Sequence, residues 1–248
     1  MDFNEIGKGM VNRHPWELSR THVLTKEWKK YLDMMHGKSG MPLKYINIGA
    51  GDMYFDEVLL DMYRNDSLYA ADLGYDTKGH KVLNQGRINL THNLSDVDEG
   101  VTFDYAIMMD SLEYFPDDEA MVRSLASRVK RGGYLFFTLP AYTKLFSDHD
   151  RHVGNLKRYD RKVTEEMFAR IGEIEMVFSR HFYFSLYLVR LFQVLTKAKI
   201  DPELKVTTGW THKENSLITR IVKGILNLDY TLGRHFPGLS LMVICKRK

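Results

Sequence analysis

A short apolar strand that runs directly into a glycine turn is the feature that most constrains how this chain folds. The strand and turn read KYINIGAGD, and they place Asn47, Gly49 and Gly51 in the order N-I-G-A-G-D. Glycine lets the backbone approach a ligand closely, because a Cβ would collide with it. In doubly wound α/β folds such a turn faces the ligand crevice at the carboxyl end of the sheet. We therefore expect a binding site at this turn.

An acidic residue follows the glycine turn at a spacing that is typical of a nucleoside-binding site. Asp72 stands 21 residues beyond Gly51, at the end of a second predicted strand, SLYAADLG. A carboxylate there can accept hydrogen bonds from both hydroxyls of a ribose, and the alternative is that it caps the following turn. Met53 and Tyr54 occupy the place of the third glycine of a dinucleotide fingerprint. The pattern thus indicates a nucleoside-type cofactor and disfavours an NAD-dependent oxidoreductase.

Strands and helices alternate along the first two thirds of the chain. Apolar runs predict the remaining strands at 87–94, 102–110, 134–140, 173–184 and 239–247, and helical periodicity predicts helices at 15–35, 55–63, 117–130, 164–172 and 216–232. This alternation is typical of an α/β protein with a doubly wound parallel sheet. We expect one domain, divided into an N-terminal helical extension, a cofactor-binding core, a helical insertion and a last strand, at 1–40, 41–184, 185–236 and 237–248.

Composition and charge narrow the class of protein. The chain has 248 residues, of which 44% are hydrophobic and 27% charged, and its net charge of +3 gives no reason to expect nucleic acid as a partner. The single cysteine, Cys245, rules out an intrachain disulfide. The opening MDFNEIGKGM has no signal-peptide core, and no run approaches the roughly 20 apolar residues of a membrane span. We expect a cytoplasmic protein, with peripheral membrane contact left open.

The loop HDRHVGNLKRY, after the fifth predicted strand, is the strongest candidate for substrate chemistry. His149 can accept a proton from a hydroxyl or amine near neutral pH, with Asp150 orienting it. Arg158 and Tyr159 could hold a phosphate or carboxylate, and the alternative is a loop held by its own salt bridges. We expect no metal, because His149, Asp150 and His152 lack a convincing partner ligand.

Two further features have competing interpretations. Asp110 and Glu113 form a carboxylate pair, but Glu113 begins a helical turn and is expected to satisfy backbone amides there. The insertion at 185–236 is apolar yet interrupted by charge, at Arg190, Lys197, Lys199, Lys213, Arg220 and Lys223. It therefore forms a cap over the site, a dimer interface or a surface that rests on lipid, and the cap is the first expectation because the insertion must fold back to reach the last strand.

Taken together, these segments resemble the class I methyltransferases, in particular a bacterial group associated with surface-polysaccharide and natural-product assembly. The resemblance rests on the order and spacing of RHPWELSR, NIGAGD, AADLG, DSLEYFPDDEAMVRSLASRVKRGGYLFFTLPAY, SDHDRHVGNLKRY and FPGLSLMVICKRK. It implies a seven-stranded Rossmann-like sheet whose last strand is antiparallel. It also implies S-adenosylmethionine as cofactor and methyl transfer to a hydroxyl or amine of a small-molecule, saccharide or lipid-linked acceptor, by a monomer or homodimer.

The resemblance also assigns cofactor contacts. Its implied set consists of Asn47 at the end of the first strand, Gly49 and Gly51 beside the methionine and ribose, Asp72 on the ribose hydroxyls, Leu73 beside the adenine, His92 or Asn93 at the adenine amino group, and Asp110 and Ser111 beside the methionine and methyl group.

Two residues depart from the family pattern. Family members usually carry an acid where this chain has Asn47 and a histidine where it has Tyr114. An asparagine can donate and accept hydrogen bonds, but it cannot neutralise the ammonium group of the cofactor. These departures keep open the alternative of a non-catalytic protein that binds S-adenosylmethionine or serves an assembly.

Overall fold

The computed structural model describes residues 13–75, 81–83, 86–196 and 216–248. The strands of this part are β1 (Lys44–Ile48), β2 (Ser67–Ala71), β3 (Lys81–Leu83), β4 (Ile88–Thr91), β5 (Phe103–Met109), β6 (Val129–Pro140), β7 (Ile174–Phe182) and β8 (Ser240–Arg247). Its α-helices are α1 (Pro15–Ser39), α2 (Tyr54–Met62), α3 (Asp118–Arg128), α4 (Asp148–His152), α5 (Arg161–Arg170), α6 (Phe184–Thr196) and α7 (Leu217–Leu232).

The strands form one sheet in the order β3-β4-β2-β1-β5-β6-β8-β7. Strand β8 pairs antiparallel with both β6 and β7, whereas the inner strands β4, β2, β1, β5 and β6 are parallel to their neighbours among themselves. The predicted Rossmann-like sheet with an antiparallel last strand is therefore confirmed. The short edge strand β3, which pairs antiparallel with β4, adds an eighth strand that the sequence patterns did not predict.

Helices cover both faces of the sheet. On one face, Trp28 of α1 stacks on Phe136 of β6 (ring centroids 4.7 Å apart) and meets Phe55 of α2 edge-on. On the other, Phe168 of α5 packs against Phe137 of β6 (5.1 Å). Residues 134–139 of β6 are buried on both faces of the sheet, because neighbouring residues point to opposite layers that helices cover.

Helix α1 begins and ends on recognisable signals. The Nδ1 atom of His14 accepts a hydrogen bond from the backbone of Trp16 (3.1 Å), and Pro15 occupies the first turn. Gly40 ends the helix in a left-handed conformation, where its amide donates to His36 (2.9 Å). These caps fix the helix, which packs over the sheet and carries side chains to the edge described next.

Strand register aligns the carboxyl ends of the parallel strands. Ile48 is opposite both Ala71 and Met108, and Met109 is opposite Thr138. The residues that follow β1, β2, β4 and β5 consequently meet at one edge of the sheet. This edge is the expected location of a ligand crevice in an open α/β sheet.

The insertion contains two helices in its described part. Helix α7 packs along α1, where the Ser19 hydroxyl donates to Asn227 Oδ1 (2.8 Å) and receives a hydrogen bond from Tyr183 (2.9 Å). None of the described helices is both long and apolar enough to cross a bilayer. The charges named above at Lys197, Lys199 and Lys213 lie outside the described residues.

Candidate active site

The turn after β1 has a geometry that requires glycine. Gly49 and Gly51 have φ values of 75° and 53°, in the left-handed region. The amide of Gly49 donates to the carbonyl of Ala71 (2.8 Å), which ties the turn to β2. A Cβ at Gly49 would lie 2.5 Å from the Cβ of Ser111. The turn is thus pressed against β5 and presents backbone to the crevice.

Asp72 lies directly against this turn. Its Oδ2 accepts from the amide of Gly51 (2.9 Å), and its Oδ1 accepts from the amide of Gly74 (2.9 Å). The glycine–acid pair expected from the sequence is therefore close in space, and the turn-capping alternative operates as well. A carboxylate has about four acceptor positions, so both oxygens keep capacity for a ligand.

The remaining residues expected at the adenine end lie at the adjoining ends of β2 and β4. Leu73 is 80% exposed beside Asp72. His92 and Asn93 follow β4 and are partly buried, and Asn93 Oδ1 caps a 3-10 turn by accepting from the amide of Ser95 (3.2 Å). An apolar side chain and two polar ones thus stand at this end of the edge.

Asn47 points beneath the turn and away from solvent. It is fully buried, and its Nδ2 donates to Asp56 Oδ2 of α2 (2.8 Å). Burial raises the pKa of the Asp56 carboxyl to about 7, although the bond from Asn47 acts in the opposite direction. A carboxyl group therefore lies beside Asn47, but it belongs to Asp56 of α2 and not to a residue of β1.

The end of β5 carries a charge pair that the sequence analysis did not predict. Asp110, at φ 47°, receives hydrogen bonds from Thr138 Oγ1 (3.2 Å) and from the Arg20 guanidinium of α1. The Arg20 guanidinium also lies 4.3 Å from the centre of the Trp16 ring. Ser111, next to Asp110, bonds the carbonyl of Ile48 (2.7 Å) and joins β5 to β1.

A second arginine binds the start of α1 to the glycine turn. Arg13 Nη1 lies 2.6 Å from Asp52 Oδ2, and its guanidinium lies 3.7 Å from the centre of the Tyr54 ring. This contact and the Arg20–Asp110 pair hold the first turns of α1 against the crevice edge. In the sequence, both arginines belong to the segment RHPWELSR, which contributes to the family resemblance but which predicted no role for either arginine.

The loop after β6 is built around a buried ion pair. Asp150 is fully buried, and its carboxylate accepts from Arg158 Nη2 (2.7 Å) and from the amide of Ser147 (2.8 Å). Arg158 Nη1 also donates to the carbonyl of Ala141 (3.2 Å) at the end of β6. The Tyr159 hydroxyl donates to Asp118 (3.1 Å). These contacts favour the alternative of a loop held by its own bridges over anion binding by Arg158 and Tyr159.

His149, on the short helix α4 of this loop, is partly exposed. Burial, together with Arg190 and Arg158, lowers its pKa, while Asp150 acts in the opposite direction. The bonds of Asp150 to Arg158 and Ser147 favour a structural role for that carboxylate over the orientation of His149. Arg190 of α6 donates to Ser147 Oγ (3.0 Å), so the insertion reaches the same loop.

Glu113 is buried in the short 3-10 turn that follows β5. Within the described part of the chain its Oε2 has no hydrogen-bond partner. Burial, and next the charge of Asp110, raise its pKa well above the usual range for a carboxyl. Its interaction with its own backbone amide agrees with the expectation from sequence. Among the described residues, no three His, Cys, Asp or Glu side chains are grouped to hold a metal ion.

Comparison with known proteins identifies the class. A family model described as a methyltransferase domain matches residues 20–182. The chain therefore belongs to the methyltransferase domain family. It is an S-adenosylmethionine-dependent methyltransferase of class I, with S-adenosylmethionine as its cofactor. No curated protein matches the chain in sequence.

Solved structures share the fold at low sequence identity. A candidate sarcosine dimethylglycine methyltransferase from Galdieria sulphuraria has a TM-score of 0.54 at 13% identity, over 90% of this chain and 85% of that one. An S-adenosylmethionine-dependent methyltransferase from Mesorhizobium loti has a TM-score of 0.52 at 13% identity, over 84% and 92%. Another from Archaeoglobus fulgidus has a TM-score of 0.50 at 16% identity, over 92% and 94%. These likenesses concern the fold alone.

Proposed function

We propose that the protein transfers a methyl group from S-adenosylmethionine to a hydroxyl or amine of a small-molecule, saccharide or lipid-linked acceptor. The observation that carries this proposal is the distribution of charge along the crevice edge. A carboxylate, Asp72, stands at one end, and a carboxylate paired with a guanidinium, Asp110 with Arg20, stands at the other. S-adenosylmethionine has an adenosine group with a ribose diol at one end and an amino-acid zwitterion at the other.

The residues at the ribose and adenine end fit the cofactor by chemistry. Asp72 keeps acceptor capacity on both oxygens for the ribose hydroxyls. Gly49 and Gly51 would line the cofactor with backbone, and the missing Cβ of Gly49 leaves room for Ser111 to pack against the turn. The adenine would lie beside Leu73, with His92 or Asn93 at its amino group.

The Arg20–Asp110 pair would serve the amino-acid end. Asp110 would accept from the ammonium, and Arg20 would bind the carboxylate through charge-assisted hydrogen bonds, with Ser111 beside them. This assignment answers the departure at Asn47, because the negative charge that the resemblance expects from β1 would come from Asp110. Asn47 would contribute from below, by fixing Asp56 and the turn.

The acceptor would be activated on the loop side of the crevice. The cofactor supplies a methyl group on a sulfonium, which is electrophilic without further activation. The protein must then position the acceptor and, for a hydroxyl or a protonated amine, remove a proton. We assign that proton to His149, which its lowered pKa keeps neutral at pH 7.

The insertion would complete the acceptor site as part of the same domain. Helix α6 reaches the loop through the Arg190–Ser147 hydrogen bond, which supports a cap at residues 185–236. The side chains of Arg158 and Tyr159 would hold the loop in shape, through Asp150 and Asp118. On the sequence grounds given above, we place the reaction in the cytoplasm.

Replacing Asp72 with alanine tests the cofactor assignment. We expect calorimetry with S-adenosylhomocysteine to show binding weakened by about 1.5–3 kcal/mol, because hydrogen bonds to a charged acceptor are lost. Asp61→Ala, an exposed acid on α2, is the matched control and should leave the affinity unchanged. Equal affinities of the wild type and Asp72→Ala would refute the placement of the ribose.

A further inference from the structure

Helix α7 has a solvent-exposed apolar face. Six large apolar side chains on it are 46–71% exposed: Leu217, Ile218, Ile221, Ile225, Leu228 and Leu232. Five of them recur at intervals of three or four residues, so they share one side of the helix. The opposite side is also apolar, and it carries Leu226 and Tyr230 into the core. The helix therefore packs on α1 with one face and leaves a second apolar face in water.

Helix α6 and the turn after α7 also expose large apolar side chains. Leu188, Val189, Phe192 and Leu195 of α6 are 47–73% exposed, and Phe236 is 54% exposed. The two helices contact each other, and Asp229 of α7 receives hydrogen bonds from the amide and hydroxyl of Ser185 (2.9 and 2.6 Å). We call these eleven side chains the α6–α7 apolar surface. Water-soluble monomers rarely expose so large a group of apolar residues without a binding role.

The charge around this surface is positive. Arg190 of α6 is bound to Ser147, but α7 and the turn after it carry three more basic side chains, Arg220, Lys223 and Arg234, against one acid, a net charge of +2 with His235 neutral. The acid is Asp229, whose carboxylate is already bound to Ser185. Arg220 is exposed and lies on α7 between the two apolar faces. An apolar face bordered by basic side chains is the pattern of helices that lie on anionic lipid.

We propose that the α6–α7 apolar surface docks on the surface of an anionic lipid membrane. The apolar side chains would enter the boundary between headgroups and acyl chains, while the basic side chains meet the anionic headgroups. A second copy of the chain fits less well, because a two-fold contact would place like charges against each other. Membrane docking itself does not depend on the proposed function. Only its consequence rests on that function, namely that α6 would bring the acceptor loop close to a lipid-linked acceptor.

Vesicle flotation tests the proposal. We expect the full-length wild type to float with vesicles of equimolar phosphatidylcholine and phosphatidylglycerol, to stay behind with phosphatidylcholine alone, and to be released by molar salt. The variant Ile221→Glu/Ile225→Glu should lose binding roughly tenfold or more, since two charges would enter the apolar boundary. Val163→Glu is the matched control, because Val163 is 62% exposed on α5, and this variant should float like the wild type.

The result of the flotation experiment can be separated from a failure of the proposed methyl transfer. Unchanged melting and unchanged S-adenosylhomocysteine affinity should accompany the loss of flotation in Ile221→Glu/Ile225→Glu. A wild type that does not float with anionic vesicles would overturn the proposal. The proposal would also be overturned if light scattering showed a dimer that Ile221→Glu/Ile225→Glu dissociates, and if neither the wild type nor the variant floated. Failure to bind S-adenosylhomocysteine would instead contradict the proposed function and leave the flotation result standing.

Discussion

Replacing His149 with glutamine is expected to lower kcat by roughly 10²–10⁴-fold, the usual contribution of a general base. The reason is that we assign removal of the acceptor's proton to His149, whose pKa burial and the nearby arginines lower. The measurement is transfer of radiolabelled methyl from S-adenosylmethionine to the best substrate of a panel of hydroxyl and amine acceptors. The affinity for S-adenosylhomocysteine should hardly change.

The pH profile gives the same prediction a second readout. A base works when it is unprotonated, so kcat/KM of the wild type should rise with pH through a pKa below the usual histidine value of about 6.5 and level off by neutrality. The His149→Gln variant should lack this rise. His152→Gln, an exposed position on the same helix, is the control and should keep wild-type turnover. Equal losses of stability and turnover in His149→Gln would show that the residue is structural.

Replacing Arg158 with methionine is expected to lower the free energy of unfolding by about 3–5 kcal/mol, as for other buried ion pairs that lose one partner. Asp150 is fully buried, and burial alone would raise its pKa; the bonds from Arg158 and Ser147 reverse that effect and lower it. Without the guanidinium, a charged carboxylate would remain buried and uncompensated. Denaturation with urea at pH 7 measures the loss.

Two companion variants make this result specific. Arg151→Met removes an exposed partner of Asp148 in the same loop and should cost no more than about 1 kcal/mol. Adding Asp150→Leu to Arg158→Met should restore part of the stability, because the unpaired charge is removed. If Arg158→Met were no more destabilising than Arg151→Met, the pair would not be what holds the loop.

Local patterns were sufficient to predict the inner strands of the sheet. The apolar runs of β1, β2 and β5 are each followed directly by glycine or aspartate, and parallel strands must align their carboxyl ends, so the meeting of Gly51 with Asp72 followed from spacing. The edge strand β3 was missed because three residues carry too little pattern to distinguish a strand from a loop.

Pairs of distant side chains could not be predicted in the same way. Arg20 meets Asp110 across 90 positions, and that contact depends on how α1 crosses the sheet. The choice of partner for Asp150 was equally open from the sequence, where His149 is adjacent and Arg158 is eight residues away. The fold brings Arg158 beneath the loop, and a buried carboxylate is stabilised most by a guanidinium that donates to it directly.

The apolar periodicity of α7 predicted a helix but not which side would be buried. Both Leu226 and Ile225 belong to the apolar pattern, yet only Leu226 lies in the core. The packing of α1 makes that choice, and it leaves Ile225 on the α6–α7 apolar surface. Sequence alone therefore could not separate a cap from a membrane-facing surface.

We propose that the crevice between the glycine turn, Asp72 and Asp110 holds S-adenosylmethionine. Titration calorimetry of the wild-type protein with S-adenosylmethionine, S-adenosylhomocysteine and NAD tests this placement. We expect saturable one-to-one binding of the two sulfur compounds and no heat of binding with NAD. Tight binding of NAD, with no binding of either sulfur compound, would contradict it.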